Sequence, residues 1–385
     1  MDAPSPNKDE ERPLGRTASR RLQAVDMMRG LVIALMAVDH ASGEFNAGRV
    51  ITDGAFLFKP GTPLPPAQFL TRWITHLCAP TFVFLAGTSL ALSIPRRLRD
   101  GEAQLAIDRH LLTRGLVIAG FEVVPSYFWM PPGKYLLQVL YAIGTSFLFM
   151  IPLRRLPVPL LVALAAAILC FGEALTGVAG WGPPEKTPLV AALLLVPGPH
   201  GRFIVAYPTL YWLATMLLGY GLGAAIARGA TPESFRKYLP AVALGLLSAF
   251  AIVRGTNGYG NMHLYRDGGS LVEWLHVSKY PPSISYVTLE LGLAAAVLWF
   301  IGGVVARRPA SERNPLLVLG RTPMFFYLLH IPLLALAATA LGLAHRLGIG
   351  GSFGFAALVT LLLYPVCFFY GRFKSAHPRT VLDYL

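Results

Sequence analysis

The stretch SISYVTLELGLAAAVLWFIGGVV, residues 283–305, carries a single ionisable side chain, Glu290, in a run otherwise made of apolar, small and hydroxyl residues. At about 1.5 Å of rise per residue, a helix of this length crosses the roughly 30 Å hydrocarbon core of a bilayer. Comparable runs recur along the whole 385-residue chain, at 28–46, 70–94, 109–128, 135–153, 157–178, 207–227, 238–254, 317–342 and 353–371. The composition agrees: 54% of residues are hydrophobic and only 14% are charged, with a mean hydropathy of +0.54. A soluble protein carries about 25% charged residues. A soluble globular enzyme, a disordered tail protein and a secreted disulfide scaffold are therefore excluded. The sequence predicts an all-α fold, a polytopic transmembrane helix bundle of about ten spans.

Orientation follows from the basic residues. With both termini placed in the cytoplasm, lysines and arginines on the inner side outnumber those on the outer side by roughly two to one. The same rule accounts for the net charge of +13 without invoking nucleic acid. Residues 1–27 read as a disordered cytoplasmic arm with no removable signal peptide, 28–371 as the membrane domain and 372–385 as a cytoplasmic tail. Cys78, Cys170 and Cys367 lie in apolar runs without metal or redox spacing and read as packing residues, and no metal site is expected. The long outer connections, 47–69, 179–206 and 255–282, interleave Gly and Pro with aromatic and amide residues, as in RGTNGYGNMHLYRDGG (254–269), a composition that favours function.

An ionisable group inside a membrane costs several kcal/mol unless paired or hydrated, so each one is a functional candidate. Counted along their helices, His40, His76, Glu122, Glu290 and His330 all fall roughly 18–21 Å from the inner edge, near one plane in the outer half of the membrane. Asp39 stands beside His40 in mid-span. An acid next to an imidazole suggests control of its orientation, although adjacent residues on a helix do not face each other, so Asp39 has a partner on another helix as its alternative.

Four blocks make the chain recognisable: RLQAVDMMRGLVIALMAVDHASG (21–43), FLTRWITHLCAPTFVFLAGTSLAL (69–92), VSKYPPSISYVTLELG (277–292) and LGRTPMFFYLLHIPLL (319–334). Together they resemble the heparan-alpha-glucosaminide N-acetyltransferase catalytic-domain family, within the wider transmembrane acyltransferases that open on Asp-x-x-Arg-Gly, here Asp26, Arg29 and Gly30. The resemblance implies transfer of an acyl group, acetyl by family default, from cytosolic acyl-coenzyme A to a sugar or glycan acceptor across the membrane. It makes 28–371 the acyltransferase domain, acetyl-CoA the acyl donor and cosubstrate, and a bacterial inner membrane the expected location, with the lipid bilayer as partner and room for a homodimer. His40 stands where the namesake enzyme carries an amide, and no histidine lies between His40 and His76, where the family's catalytic histidine is found. His40 and His76 are therefore alternative bases.

Acyl transfer needs a base for the acceptor's proton and donors for the thioester oxyanion. The expected catalytic set is His40, His76, Asp39 and Glu290, the carboxylates orienting a histidine. Coenzyme A phosphates call for cations at the inner mouth, Arg29, Arg96, Arg97 and Arg321, with Asp26 and Gly30 of the opening motif beside them in the cofactor set; the acceptor calls for Lys279, Tyr280, His330 and Glu122. The competing reading is a proton-coupled transporter that uses the same intramembrane histidines and acids as a relay. A non-catalytic envelope-assembly subunit is a third.

Overall fold

The structure is a computed structural model that describes residues 11–179, 187–229, 232–377, 380 and 382. It is a helix bundle. In chain order the helices are α1 Glu11–Phe45, α2 Pro66–Trp73, α3 Cys78–Arg99, α4 Gln104–Gly120, α5 Val123–Trp129, α6 Val139–Leu153, α7 Val158–Ala179, α8 Leu189–Leu194 and α9 Thr209–Ala227, followed by α10 Pro232–Thr256, α11 Leu271–Leu275, α12 Ile284–Arg307, α13 Pro315–Arg321, α14 Pro323–Ala340 and α15 Ile349–Ala376. Helices are the expected solution because a chain in lipid must satisfy every backbone N–H and C=O within itself.

Among the described residues, eight helical stretches are long and apolar enough to cross a membrane: 66–99, 104–129, 158–179, 209–227, 237–256, 284–307, 323–340 and 349–376. The remaining two of the ten expected spans are α1, which carries Arg29, Asp39, His40 and Glu44, and α6, which is apolar but only 15 residues long. Residues 11–27, expected as a disordered arm, are instead helical and continuous with the rest of α1; residues 1–10 lie outside the described residues. Cys78 and Cys367 are buried, as packing residues should be, whereas Cys170 is exposed on α7.

The bundle is threaded by close helix crossings that only glycine permits. A Cβ on Gly30 of α1 would stand 1.9 Å from the Leu316 carbonyl oxygen of α13, and one on Gly320 of α13 would stand 1.7 Å from the Asp26 carbonyl oxygen of α1. The two backbones are therefore in contact, each glycine receiving the other helix. Gly30, expected among the coenzyme A ligands, is thus a packing residue, and its partner lies in the LGRTP block almost three hundred residues away. The same device joins α3 to α9, where a Cβ on Gly87 would meet the Met216 carbonyl oxygen at 2.0 Å and one on Gly219 the Phe84 carbonyl oxygen at 1.8 Å. These crossings fix α1, α3 and α13 around the site described below.

The end of the bundle opposite Gly30 is capped by loops and a small three-stranded sheet, an addition to the all-helical expectation. Strand β3 (Phe203–Val205) pairs in parallel with β1 (Tyr135–Leu137) and antiparallel with β2 (Gly198–His200), in the order β1-β3-β2. The 257–276 loop is gathered around Arg254, at 0% exposure, which donates to the carbonyls of Leu264 (2.7 Å), Glu273 (2.6 Å) and His276 (2.6 Å). His276 in turn donates from Nε2 to the Thr52 carbonyl (2.8 Å), and the backbone N–H groups of Lys279 and Tyr280 donate to the Asp53 carbonyl (2.7 and 3.1 Å). Two loops distant in sequence are thereby fastened together, and Ser283 then caps α12 by accepting from the Tyr286 N–H.

The glycine crossings make a direct prediction. Gly320→Ala forces a methyl into the α1 backbone and should cost about 1–3 kcal/mol, seen as a fall of several degrees in apparent melting temperature in detergent. Gly303→Ala, where a Cβ would meet nothing within 4 Å, should leave the melting temperature unchanged.

Candidate active site

Two cavities open into the bundle from opposite ends and meet near its middle. The basic cavity, about 400 Å³, is lined by Asp26, Arg29, Ser89, Arg97, His110, Arg114, Arg321 and Lys374, with an apolar floor from Ile107, Leu111, Ile143 and Phe147. The loop cavity, about 690 Å³, is lined by Asp39, His40, Arg49, Arg72, Trp129, Tyr207, Lys279 and Tyr280, with walls from the capping sheet. Met36, Phe82, Val139 and Tyr327 line both.

In the basic cavity, Asp26 and Arg29 of α1 pair one turn apart (2.6 Å), and Arg29 also donates to Ser89 Oγ of α3. Arg321 pairs with Glu312, with Asp26 a further 3.8 Å away. Glu312 lies in the 308–314 connection; the hydrogen bond from Arg321 holds its carboxyl below the usual range. Arg97 lines the same cavity, and Arg96 is exposed outside it. Arg29, Arg97 and Arg321 are thus brought together with Asp26, while Arg96 is not. His110, Arg114 and Lys374 join the cavity without having been expected there.

The loop cavity is built on a charge network. Arg72, 7% exposed, donates from Nη1 to both oxygens of Asp39 (2.6 and 2.7 Å) and from Nε to Asp53 Oδ2 (2.8 Å). Arg49 also donates to Asp39 Oδ1 (2.9 Å), and Tyr280 Oη accepts from Arg72 (3.3 Å). Burial alone would raise the Asp53 carboxyl, but the Arg72 guanidinium and His76 beside it hold it well below the usual range. Asp39 therefore pairs with another helix and a loop, and does not orient His40. The carboxylate beside His76 is Asp53 (Nε2 to Oδ2, 3.4 Å), not Glu290. Arg49, Arg72 and Asp53 were missed in the sequence; Arg72, an arginine at the edge of an apolar span, was the available signal.

The five intramembrane groups expected at one depth separate by role. His76, at 1% exposure, lies behind the network and lines neither cavity. Glu122 is buried where α4 meets α5, and accepts from the Tyr141 N–H at the start of α6 (2.6 Å); it also lines neither cavity. Glu290 is buried in α12, with Oε1 lacking a partner. His330 is fully buried, so its expected place against a substrate is taken by a different contact: its Nε2 lies 2.7 Å from Nδ1 of His40. Of the five, His40 lines the loop cavity, and the other four line neither of these two cavities.

The bonds of this histidine pair fix both tautomers. The Phe326 carbonyl can only accept, so His330 Nδ1, 2.9 Å away, carries a proton. In the neutral ring His330 Nε2 is then an acceptor, and His40 Nδ1 is the donor to it. The lone pair of His40 is left on Nε2, which has no protein partner among the described residues. The His40 ring is held edge-on by Trp129 (centroids 4.9 Å apart) and Tyr327 (6.0 Å), and Trp129 is itself fixed by donating Nε1–H to Glu44 (2.7 Å). Tyr327, 5% exposed, has a hydroxyl with no hydrogen-bond partner. The site therefore presents a fixed proton acceptor on the loop-cavity side of the point where two cavities from opposite ends of a membrane-spanning bundle converge.

No curated protein matches the chain. The family model described as heparan-alpha-glucosaminide N-acetyltransferase, catalytic, matches residues 21–251, a stretch holding Asp26, Arg29, Asp39, His40, Arg72 and Trp129. The two later blocks, 277–292 and 319–334, lie outside that stretch, yet they supply Lys279, Tyr280, Arg321, Tyr327 and His330 to the same two cavities or their histidine pair. With more than half of the chain matched and a multi-pass helical bundle around the site, the protein belongs to the heparan-alpha-glucosaminide N-acetyltransferase catalytic family.

Proposed function

We propose that the protein transfers an acetyl group from acetyl-coenzyme A, taken from the cytosol, to a hydroxyl or amine of a sugar acceptor on the far side of the membrane. The observation that carries this reading is the meeting of the two cavities at Met36, Phe82, Val139 and Tyr327, with His40 on the acceptor side of the junction. The basic cavity matches the donor. Its cationic rim of Arg29, Arg97 and Arg321 suits the phosphates of coenzyme A, and its apolar floor suits the pantetheine arm. The loop cavity matches the acceptor, with Trp129, Tyr207 and Tyr280 as flat walls for a sugar ring. A bacterial inner membrane, with both chain ends on the donor side, fits the distribution of basic residues.

In this reading His40 Nε2 removes the proton from the acceptor oxygen or nitrogen as that atom attacks the thioester carbonyl carbon. Negative charge develops on the carbonyl oxygen, and the proposed donor to it is the Tyr327 hydroxyl, which is buried without a partner in the resting protein. The C–S bond then breaks, and the coenzyme A thiolate takes the proton from the His40 imidazolium. The products are the acetylated acceptor and coenzyme A, and His40 returns to its starting tautomer. His330 acts through His40: by accepting from Nδ1–H it keeps the lone pair on Nε2 and stabilises the imidazolium as it forms. Direct transfer needs no acyl-enzyme, since both substrates reach one point from opposite sides.

Two measurements test this. Isothermal calorimetry in detergent should show acetyl-CoA binding to the wild type, weakened about tenfold by Arg321→Ala or Arg97→Ala, both at partly exposed positions. Binding should survive His40→Gln, while that variant loses about 10²–10⁴-fold in acetyl transfer. Absence of binding to any acyl-CoA would refute the transferase and bring the transport reading forward. Tyr327→Phe should lower kcat about 10²-fold, with acetyl-CoA affinity and melting temperature retained, because the hydroxyl it removes bonds nothing in the resting protein. An unchanged kcat would remove Tyr327 from the mechanism.

A further inference from the structure

The two cavities meet in a collar that carries no charge. Four helices build it, and each supplies one side chain that lines both cavities: Met36 from α1, Phe82 from α3, Val139 from α6 and Tyr327 from α14. Met36 and Tyr327 are buried, and Phe82 and Val139 are half-buried. The chambers on either side are charged, with Asp26, Arg29 and Arg321 in one and Asp39, His40 and Arg72 in the other. Along α1 the two sets are separated by GLVIALMAV, residues 30–38, which has no ionisable group and puts Arg29 and Asp39 about 15 Å apart along the axis. No acidic or basic residue occurs in α6, nor in residues 323–329 of α14.

A passage open from both ends would join the solutions on the two faces of the membrane. His40 would then be reached from both, and a proton taken up on one side could leave on the other. An ion entering a narrow apolar constriction sheds its water and gains no partner there, and such constrictions close to ions by dewetting. The collar has this chemistry: three apolar side chains and a tyrosine ring, each drawn from a different helix.

We propose that Met36, Phe82, Val139 and Tyr327 form a hydrophobic seal that keeps protons and small ions from crossing the protein while each cavity stays open to its own side of the membrane. The inference concerns the resting protein and does not depend on acetyl transfer. The alternative is a hydrated path through the collar with His40 as a relay, which is what a proton-coupled transporter needs.

The test uses the full chain reconstituted in phospholipid vesicles that hold pyranine, a pH-sensitive dye. A potassium diffusion potential set with valinomycin drives protons inward. Vesicles carrying the wild type should acidify no faster than protein-free vesicles. Phe82→Ser places a hydroxyl in the collar and should raise the initial rate about tenfold or more over wild type. Val139→Thr, close to valine in shape, should raise it severalfold and keeps the test open if the melting temperature in detergent shows that Phe82→Ser does not fold. Leu361→Ser, a polar change on an exposed face of α15, should stay tight. A wild type that acidifies as fast as the collar variants overturns the proposal and brings the transport reading forward. So do collar variants that fold yet remain as tight as the wild type, and so does Leu361→Ser leaking as fast as they do. A tight wild type with leaky collar variants upholds the seal even in a protein that binds no acyl-CoA. A leaky wild type that transfers acetyl refutes the seal and leaves the transferase standing.

Discussion

The architecture of the site depends on one buried guanidinium. Arg72 enters at the start of an apolar span, where an unpaired charge is not tolerated, and both of its faces are used, one on Asp39 of α1 and one on Asp53 of the following loop. Removing one partner of such a buried pair leaves an uncompensated ion and costs about 3–5 kcal/mol. The network therefore acts less as a source of net stability than as a condition on geometry. Span 1, the loop after it and the start of span 2 must come together in one arrangement for the charges to be answered. The loop carrying Asp53 then holds Lys279 and Tyr280 through its carbonyl, so the wall of the loop cavity is set by the same constraint.

The second organising element is steric. Gly30 and Gly320 bring α1 and α13 into backbone contact, and this crossing places Asp26, Arg29 and Arg321 on one cavity although they come from opposite ends of the chain. The Asp-x-x-Arg-Gly motif is thus two devices in one turn of helix: charged groups that face a cavity, and a glycine that lets the helix sit close enough for them to do so. In lipid, where helices gain little from hydrophobic association, such close approach is a main source of specific packing.

The proposed chemistry lies where these two constraints overlap. His40 follows Asp39 by one position, so anchoring Asp39 to Arg72 sets the azimuth of α1 and turns the imidazole toward α14. There His330 receives Nδ1–H, and the Phe326 carbonyl fixes the proton on the far nitrogen. A chain from backbone carbonyl through two imidazoles ends in a lone pair at the cavity. No carboxylate takes part in that chain. The neighbouring acids are committed elsewhere, Asp39 and Asp53 to arginine, Glu44 to Trp129 and Glu122 to the Tyr141 N–H.

By itself the sequence determined the membrane class, most span positions, the four motif blocks and the candidate intramembrane histidines, because span length, apolar content and charge distribution are local properties read along one helix. It also placed Arg29, Arg97 and Arg321 at one end and Lys279 and Tyr280 at the other. Only the tertiary structure decided which polar groups meet. Five ionisable residues at one depth looked equivalent along the chain, yet azimuth separates them: His40 turns into a cavity, His330 supports it, and His76, Glu122 and Glu290 turn into the protein. Adjacent residues such as Asp39 and His40 diverge by about 100° on a helix, so their partners come from distant segments that no local pattern names. For the same reason Arg72, Asp53 and Tyr327 stayed unread: each acquires its role from a contact across the bundle, which folding alone creates.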